Sequence, residues 1–467
     1  MTKVERFFSG IRNKKIAFIG TGVSHCELIK LFLKKGLKIV VCDKKSKESF
    51  DASLYSELEQ LGAEFSLGEN YLDVIFKCDI VFRTPGMYFH HPMLKKAREQ
   101  GVIITSEIEV FFDLCPCKIY AVTGSDGKTT TTTIISEMFK AEGKTVFLGG
   151  NIGKALLPII EQIDENDVAV VELSSFQLIS MRKSPDVAVI TNIAPNHLDV
   201  HSTMEEYIGA KCNLISHQTA FSKTVLNADN DETMKLNALV RGRLVTFSRK
   251  KKPLCGAYLN DSGILCYCDY GSVTQILPIA EIKIPGIHNV ENYLTAISAI
   301  WGEVSIDSIK RVAREFGGVE HRIEFVRELD GVRYYNDSIA TSPTRVLAGL
   351  ASFNRRLIVI AGGYDKKIPF EPLAKPINEK VKLLILLGLT ASKIEEAVKG
   401  YEGYDPEKLK ILRVKTLEEA VSTARELSET GDIITLSPAC ASFDMYPNFE
   451  ARGKHFKRLV KELKARR

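Results

Sequence analysis

The chain has 467 residues, 45% of them hydrophobic and 26% charged, with a formal net charge of +5. This length exceeds what one hydrophobic core supports, and the mild charge gives no electrostatic basis for binding nucleic acid. No apolar run approaches the roughly 18 residues of a spanning helix, so we expect a cytoplasmic chain without membrane insertion, its ten cysteines reduced.

The first hundred residues predict an open parallel sheet with a ligand at its edge. A strand, a glycine turn at 20–24, a helix and a strand ending at Asp43 form a βαβ unit. An acidic residue at that distance holds a ribose in nicotinamide enzymes, but His25 replaces the third glycine of their fingerprint. A further short strand ends in the turn Thr84-Pro-Gly86, the usual position of a ligand in such sheets. We expect this domain to end near Ser106.

The clearest chemical motif is a glycine turn that follows a predicted strand at 118–123 and leads into a helix. Its glycines let backbone N–H groups approach phosphate oxygens, and the helix N-terminus favours anions. Lys128 can reach a transferred phosphoryl group, and the Thr129 hydroxyl can ligate Mg²⁺. A turn that only joins a strand to a helix has no need of these residues. The predicted nucleotide-binding residues are Gly124, Ser125, Asp126, Gly127, Lys128, Thr129 and Thr130.

Two polar side chains follow the next buried strands and are candidate metal ligands. Glu172 comes directly after Val168-Ala-Val-Val, one strand beyond the phosphate loop, where a carboxylate is well placed for Mg²⁺. The alternative is an edge glutamate that faces solvent. His197 lies in the polar segment after the strand at 187–190, and a histidine on such a loop is more often a surface residue.

Lys211 lies on a predicted helix over 204–216, with Ser202 and Glu205 as its capping box. By composition alone it is a solvated helix lysine. From Asp229 to Ile282 the pattern is β-rich and polar, and a helix is predicted over 289–302.

After residue 317 the alternation of strands and helices restarts and predicts another parallel sheet. Its four predicted strands begin near Gly331, Leu357, Leu383 and Asp432. We therefore expect three α/β domains at 1–106, 107–317 and 318–467.

The spacing Gly-x-x-Gly-Lys-Thr is two residues shorter than the common phosphate loop and resembles that of the Mur ligase and folylpolyglutamate synthetase superfamily. Motifs along the whole chain are similar to those of the Mur ligases, most of all those that add D-glutamate. The resemblance implies a Rossmann-like N-terminal domain, a P-loop-type central ATPase domain with a parallel sheet, and a Rossmann-like C-terminal domain. It also implies a monomer that uses ATP and Mg²⁺ to join D-glutamate to UDP-N-acetylmuramoyl-L-alanine through an acyl phosphate.

The resemblance assigns roles to individual residues. The implied catalytic residues are Lys128, Glu172, His197 and Lys211, and the implied magnesium ligands are Thr129, Glu172, His197 and a carbamylated Lys211. The further ATP contacts would be Asn289 and Asn292, with Arg322 at phosphate and Asp337 at ribose. The substrate contacts would be Ser24, Asp43, Thr84 and Gly86 at the uridine diphosphate, Asn151, Ser174 and Gln177 near the muramoyl group, and Thr341, Lys366, Ser442 and Phe449 in the third domain. A desolvated lysine near cations favours the neutral amine that accepts carbon dioxide, which makes the carbamate chemically reasonable.

One position departs from the family pattern. Ile339 stands where many relatives have a lysine near the glutamate carboxylate, and we hypothesise that Lys366, Lys367 or Arg345 supplies the charge instead.

Other functions stay open at this point. A folylpolyglutamate synthetase would join L-glutamate to a folate, but the first-domain uridine motif and the segment Ser-Pro-Ala-Cys-Ala-Ser oppose it. Another Mur ligase would add L-alanine, a diamino acid or a dipeptide. A nucleotide-switched binding protein or a dinucleotide oxidoreductase would leave Glu172, His197 and Lys211 without a purpose.

Overall fold

The computed structural model describes residues 1–22, 24–195 and 203–466. It divides into two compact units, the first formed by Met1–Ile279 with Glu291–Val312 and the second by Ala280–Val290 with Ala313–Arg467. Among the described helices, none is both long enough and apolar enough to cross a membrane.

The first unit begins with a sheet of five parallel strands. The strands are β1 Lys15–Ile19, β2 Lys38–Asp43, β3 Glu64–Leu67, β4 Ile80–Phe82 and β5 Ile103–Thr105, and the helices are α1 Lys3–Ile11, α2 Cys26–Lys34, α3 Ala52–Gln60, α4 Pro92–Glu99 and α5 Glu107–Leu114. Their order is β3-β2-β1-β4-β5. Alternate residues of β1 enter two different hydrophobic clusters, which explains its continuous apolar run. The strand order reverses between β1 and β4, so the turns after them lie at the switch point of the sheet.

The same unit contains a six-stranded, fully parallel sheet. Its strands are β6 Lys118–Thr123, β7 Val146–Gly150, β8 Val168–Glu172, β9 Val187–Ile190, β10 Lys223–Asn227 and β11 Arg243–Phe247, and the helices are α6 Lys128–Ala141, α7 Ser175–Leu178, α8 Met204–Ser216 and α9 Asp231–Lys235. The order β11-β10-β9-β6-β8-β7 places β6 between β9 and β8. The segments that follow these three strands therefore meet at one edge of the sheet.

A small antiparallel sheet completes this unit and confirms the β-rich prediction for this part of the chain. It consists of β12 Cys255–Leu259, β13 Ile264–Asp269 and β14 Ser272–Pro278. Two helices follow, α10 Ile287–Ile300 and α11 Ile306–Glu315. The chain passes between the two units after Ile279, within α10 after Val290 and within α11 after Val312. The predicted helix over 289–302 thus begins and ends two residues earlier in the structure.

The second unit is built on a six-stranded sheet. Its strands are β15 Glu324–Leu329, β16 Val332–Asn336, β17 Leu357–Gly362, β18 Val381–Leu387, β19 Lys410–Arg413 and β20 Ile433–Leu436, and the helices are α12 Pro343–Ala351, α13 Glu371–Lys380, α14 Ala391–Lys399, α15 Leu417–Glu426 and α16 Phe449–Glu462. The order is β15-β16-β20-β17-β18-β19, and only β15 runs antiparallel to its neighbour. All four predicted strands are confirmed. The predicted number of strands was wrong, because the sheet has six and both edge strands were missed. Neither contains a buried residue, so neither carries a buried apolar run.

Candidate functional site

The predicted phosphate loop has a conformation that requires its glycines. It leaves β6 at Gly124, whose φ is +151°, and enters α6 through Gly127, whose φ is +76°. A Cβ on Gly124 would overlap the Thr191 hydroxyl, and one on Gly127 would lie 2.6 Å from Asn292 Oδ1. The backbone is thus held close to the end of β9 and to α10, and a side chain at either glycine would push them apart.

Gly124→Ala is expected to lower the Tm by roughly 5–10 °C, because it combines a positive φ with a collision against a buried hydroxyl. Gly143→Ala is the matched control, since Gly143 also has a positive φ of +84° but no atom within 4 Å of the added Cβ. It should cost about 1 kcal/mol, or roughly 2–4 °C. Equal Tm losses in the two variants, measured by thermal unfolding, would contradict the crowding at Gly124.

Two lysines converge on a single carbonyl oxygen of this loop. Lys128 Nζ donates to Gly124 O at 3.1 Å and to Ser125 O at 2.9 Å, while Lys211 Nζ donates to Gly124 O at 2.9 Å. Lys211 is only 1% exposed. Its burial, followed by the charge of Lys128, lowers its pKa to about 7. The predicted solvated alternative for Lys211 is wrong, because the side chain is buried against the phosphate loop.

The helix that carries Lys211 starts as predicted at Met204, but its cap differs. Thr203 is the N-cap, and its side chain accepts from the backbone N–H of Glu206. The predicted cap Ser202 lies outside the described residues.

Glu172 is a buried carboxylate at the end of β8 with one oxygen unused. It is 1% exposed, and its Oε1 accepts from Asn151 Nδ2 at 2.8 Å. Its Oε2 is buried and has no hydrogen-bond partner in the described part of the chain. Thr123 links this strand end to Lys211, since its hydroxyl donates to Leu173 O at 2.8 Å and lies 3.4 Å from Lys211 Nζ. A buried carboxylate oxygen without a donor fits a hard cation such as Mg²⁺.

Of the two remaining predicted metal ligands, Thr129 and His197, the structure describes only Thr129. Thr129 lies in the first turn of α6, directly after Lys128, and is half-buried. His197 lies outside the described residues. Within residues 1–22, 24–195 and 203–466, no three His, Cys, Asp or Glu side chains lie together as a metal cluster.

Asn192 is a candidate site residue that the sequence analysis missed. Its Oδ1 accepts from the backbone N–H of Ser125 at 3.1 Å and of Asp126 at 2.8 Å. The Ser125 N–H also donates to the Asn192 backbone O at 2.9 Å, so the Asp126 N–H is the loop amide whose bond to the Asn192 side chain a phosphate oxygen could replace. The signal in the sequence was a polar residue at the end of β9, the strand beside β6.

Several predicted contacts also have local structural roles. Ser174 and Gln177 form a capping box at the start of α7, in which each side chain bonds the other residue's backbone N–H. Asn292 Oδ1 accepts from Thr131 Oγ1 at 3.2 Å and thereby ties α10 to α6. Thr130, the last residue of the predicted loop set, is buried on α6.

The predicted uridine diphosphate contacts gather at the carboxyl edge of the first sheet. Thr21 Oγ1 donates to Asp43 Oδ2 at 3.3 Å, and the Thr84 methyl lies 3.7 Å from the position of a Cβ on Gly20. Ser24 is half-buried and Gly86 is exposed. An open cavity of about 390 Å³ lies beside this edge, and its lining residues include Thr21, Cys26, Lys45, Phe50 and Leu54.

The second unit has its own group of predicted site residues. Asp337 is 4% exposed, and its Oδ2 accepts from Ser437 Oγ at 2.9 Å. Burial raises the pKa of Asp337 to about 7, although its hydrogen bonds and the nearby arginine charges act to lower it.

The other predicted residues of this unit differ in exposure. Ser442 is buried, and Phe449 begins α16. The other predicted residues are the half-buried Arg322 and Thr341, the exposed Lys366, and the buried Asn289, whose Nδ2 donates to Pro285 O at 2.5 Å.

Arg452 organises this group and was not predicted. Its buried guanidinium donates to Ser338 O at 3.0 Å, Cys440 O at 3.1 Å and Ala441 O at 3.2 Å. It therefore joins the segments that carry Asp337 and Ser442, which are about one hundred residues apart in sequence.

Three family models match the chain along most of its length. They are described as the Mur ligase MurD-like N-terminal domain, at residues 14–106, the Mur ligase middle domain, at 122–300, and the Mur ligase glutamate ligase domain, at 321–440.

Curated relatives are similar over their whole length. The UDP-N-acetylmuramoylalanine–D-glutamate ligase of Acetivibrio thermocellus is 50% identical and covers 99% of this chain and 100% of the relative. The enzyme of the same name from Clostridium tetani is 48% identical over 97% of this chain and 98% of the relative.

Solved structures share the fold at much lower identity. UDP-N-acetylmuramate–alanine ligase from Thermotoga maritima has a TM-score of 0.59 at 19% identity, covering 97% of this chain and 100% of that chain. MurF from Acinetobacter baumannii has a TM-score of 0.57 at 16% identity, with 98% of each chain covered. The chain belongs to the Mur ligase family, as its sequence predicted, and shares about half of its residues with D-glutamate ligases of that family.

Proposed function

We propose that this chain is an ATP-dependent ligase that joins D-glutamate to UDP-N-acetylmuramoyl-L-alanine in peptidoglycan precursor synthesis, and so serves cell wall biogenesis, cell shape and cell division. We further propose domains at 1–106, 107–317 and 318–467, and a monomer that works in the cytoplasm. The observation that carries the proposal is the pair of lysines on the Gly124 carbonyl, next to the strand that ends at Glu172. No donor among the described residues reaches Glu172 Oε2, which is buried.

The reaction has two steps. The L-alanine carboxylate attacks the γ-phosphorus of ATP, and ADP leaves to give an acyl phosphate. The amine of D-glutamate then attacks the acyl carbon, and phosphate leaves as the amide forms and the amine loses its proton. The chain's part in the first step is to hold phosphate charge, which is the task of Lys128 and of the Ser125 and Asp126 amides. The Asn192 side chain must release the Asp126 amide when a phosphate oxygen takes its place.

Thr129, Glu172, His197 and a carbamylated Lys211 would hold Mg²⁺, which when bound neutralises charge on the phosphates and on the attacking carboxylate. Carbamylation needs a neutral amine: Lys211 Nζ bonds carbon dioxide and releases a proton, leaving an anionic carbamate. The buried position beside Lys128 favours that neutral amine. The modification also replaces the repulsion between two cations with an attraction.

The test is phosphate release with ATP, Mg²⁺ and UDP-N-acetylmuramoyl-L-alanine, comparing D-glutamate with L-glutamate, L-alanine, L-lysine and diaminopimelate. A parallel reaction offers a folate with L-glutamate. Release with D-glutamate alone supports the proposal. Release with another pair keeps the ligase chemistry but changes the substrate, and no release from folded protein would refute the proposal.

Many relatives have a lysine at the position of Ile339, and Arg345 is our preferred candidate to supply that positive charge in this chain. Its Nη1 donates to Ile339 O at 3.1 Å, and the same guanidinium has further donors for a carboxylate. We expect Arg345→Ala to raise the D-glutamate KM roughly 10- to 100-fold, the loss of one charged hydrogen bond, while Lys366→Ala and Lys367→Ala have smaller effects. Lys375→Ala, on an exposed helix position, is the control. An unchanged KM in all three site variants would rule out the hypothesis.

A further inference from the structure

Arg83 is a buried cation that forms no ion pair with any of the described residues. It directly follows β4 and is 1% exposed. The Ser180 hydroxyl bridges it to a carboxylate, accepting from Arg83 Nη2 and donating to Glu109 Oε2 at 2.9 Å, so the two charges interact without direct contact. Burying a charge without a direct ion pair is strongly unfavourable unless its donors are hydrogen-bonded, so the bonds of the guanidinium account for its position.

The Arg83 guanidinium joins two segments of the first unit. Nη1 donates to Met87 O at 2.7 Å and to Thr84 O at 3.3 Å, in the turn after β4. Nη2 donates to Phe176 O at 3.0 Å and to Ser180 Oγ at 3.2 Å, in and just after α7. Only a planar group with forked donors reaches both sides, which a lysine cannot do.

Both joined segments carry predicted contacts to the same substrate. The turn after β4 contains Thr84 and Gly86, which were assigned to the uridine diphosphate end. The other segment is α7, which contains Gln177 and has Ser174 as its N-cap, and both were assigned to the muramoyl end of the substrate. Glu172, assigned to the metal, lies two residues before Ser174. Tyr88, just beyond the turn, also donates to Glu206 on α8, the helix of Lys211. The distance between these segments therefore sets how a long substrate spans the unit.

We propose that Arg83 is a positioning residue that holds the uridine-binding turn at a fixed distance from α7, so that the carboxylate of a UDP-linked substrate lies at the phosphate loop. This inference rests on the proposed function and adds a residue that no predicted motif contains. Arg83 does not touch the substrate; it acts through the carbonyl groups of Thr84, Met87 and Phe176.

The experiment compares Arg83→Met and Arg83→Lys with the wild type in the phosphate-release assay. Arg83→Met should raise the KM for UDP-N-acetylmuramoyl-L-alanine roughly 10- to 100-fold, with the KM for ATP within about twofold of wild type. Arg83→Lys should recover part of that loss, because it keeps the charge but reaches only one side. Arg98→Met is the control, since Arg98 lies over the same Phe89 ring as Arg83. Within the described part of the chain its guanidinium donates to Phe89 O and makes no bond to α7.

The KM split separates positioning from a general loss of stability, which would lower the active fraction without changing one KM selectively. A UDP-substrate KM within about twofold of wild type in folded Arg83→Met would overturn the inference, and so would an equal rise in the KM for ATP. If Arg83→Met does not fold, Arg83→Lys and Ser180→Ala provide the same test. Each should raise the KM for UDP-N-acetylmuramoyl-L-alanine roughly threefold, and an unchanged KM in both would overturn the inference. A wild-type protein without D-glutamate-dependent phosphate release would instead refute the proposed function.

Discussion

Replacing Lys128 with methionine is expected to lower kcat on the order of 10³-fold, while leaving the Tm unchanged or slightly higher. The ammonium lies at the start of α6 and bonds two carbonyls of the phosphate loop. It is the cation best placed to neutralise charge on a transferred phosphoryl group, and methionine keeps its length without that charge. The variant loses the bonds to the Gly124 and Ser125 carbonyls, but it also loses the repulsion between Lys128 and Lys211, and the two effects on stability oppose each other.

Lys140→Met provides the comparison for Lys128→Met. Lys140 lies on the same helix, is exposed and, within the described part of the chain, pairs with Glu137 alone. The kcat of Lys140→Met should therefore stay within about twofold of wild type. A Lys128→Met enzyme that keeps more than about a tenth of wild-type kcat at saturating ATP would show that this lysine does not stabilise the transferred phosphoryl group.

The phosphate loop could be predicted from sequence because its information is local. β6 ends at Thr123 as predicted, and the glycines that follow are needed for their own positive φ values. The central strands were equally clear, since a parallel strand covered on both faces reads as an apolar run. The edge strands β15 and β19 contain no apolar run, so the hydrophobic pattern of the sequence does not predict them.

The residues that were missed act across long sequence distances. Arg83 bonds residues 93 and 97 positions away, and Arg452 bonds a residue 114 positions away. Nothing in the neighbouring sequence distinguishes either arginine from a surface one. Asn192 was missed for a related reason: its role depends on β9 lying beside β6, which is a property of the strand order and not of the residue.

The position of Lys211 depends both on the local sequence pattern and on the tertiary packing. Its helix was predicted from local pattern, but its burial under the phosphate loop and its contact with Gly124 O follow from the packing of α8 against the sheet. The composition of the helix favours a solvated lysine, and only the resemblance to the family opposed that interpretation. The structure supplies the physical cause, which is desolvation beside a second cation.

Lys211→Met is expected to abolish phosphate release and yet stabilise the protein at pH 6. The pKa of Lys211 falls from 10.5 to about 7 in the folded chain, so below pH 7 folding buries a charged ammonium. At about 1.4 kcal/mol per pKa unit this penalty approaches 5 kcal/mol, whereas the hydrogen bonds lost to Gly124 O and Thr123 Oγ1 are worth roughly 1–3 kcal/mol. The charge term is larger, so the variant should have the higher Tm.

The pH dependence identifies the cause of this gain. A lysine with a lowered folded-state pKa makes wild-type stability rise with pH between about 7 and 10.5, because only the unfolded chain stays protonated there. The Tm advantage of Lys211→Met should therefore be largest at pH 6 and shrink by pH 9, in bicarbonate-free buffer that keeps the amine unmodified. Lys235→Met, at a position 68% exposed, should show no such trend. A variant that is less stable than wild type at pH 6, or whose Tm difference does not change with pH, would show that the buried amine is not the source of the penalty.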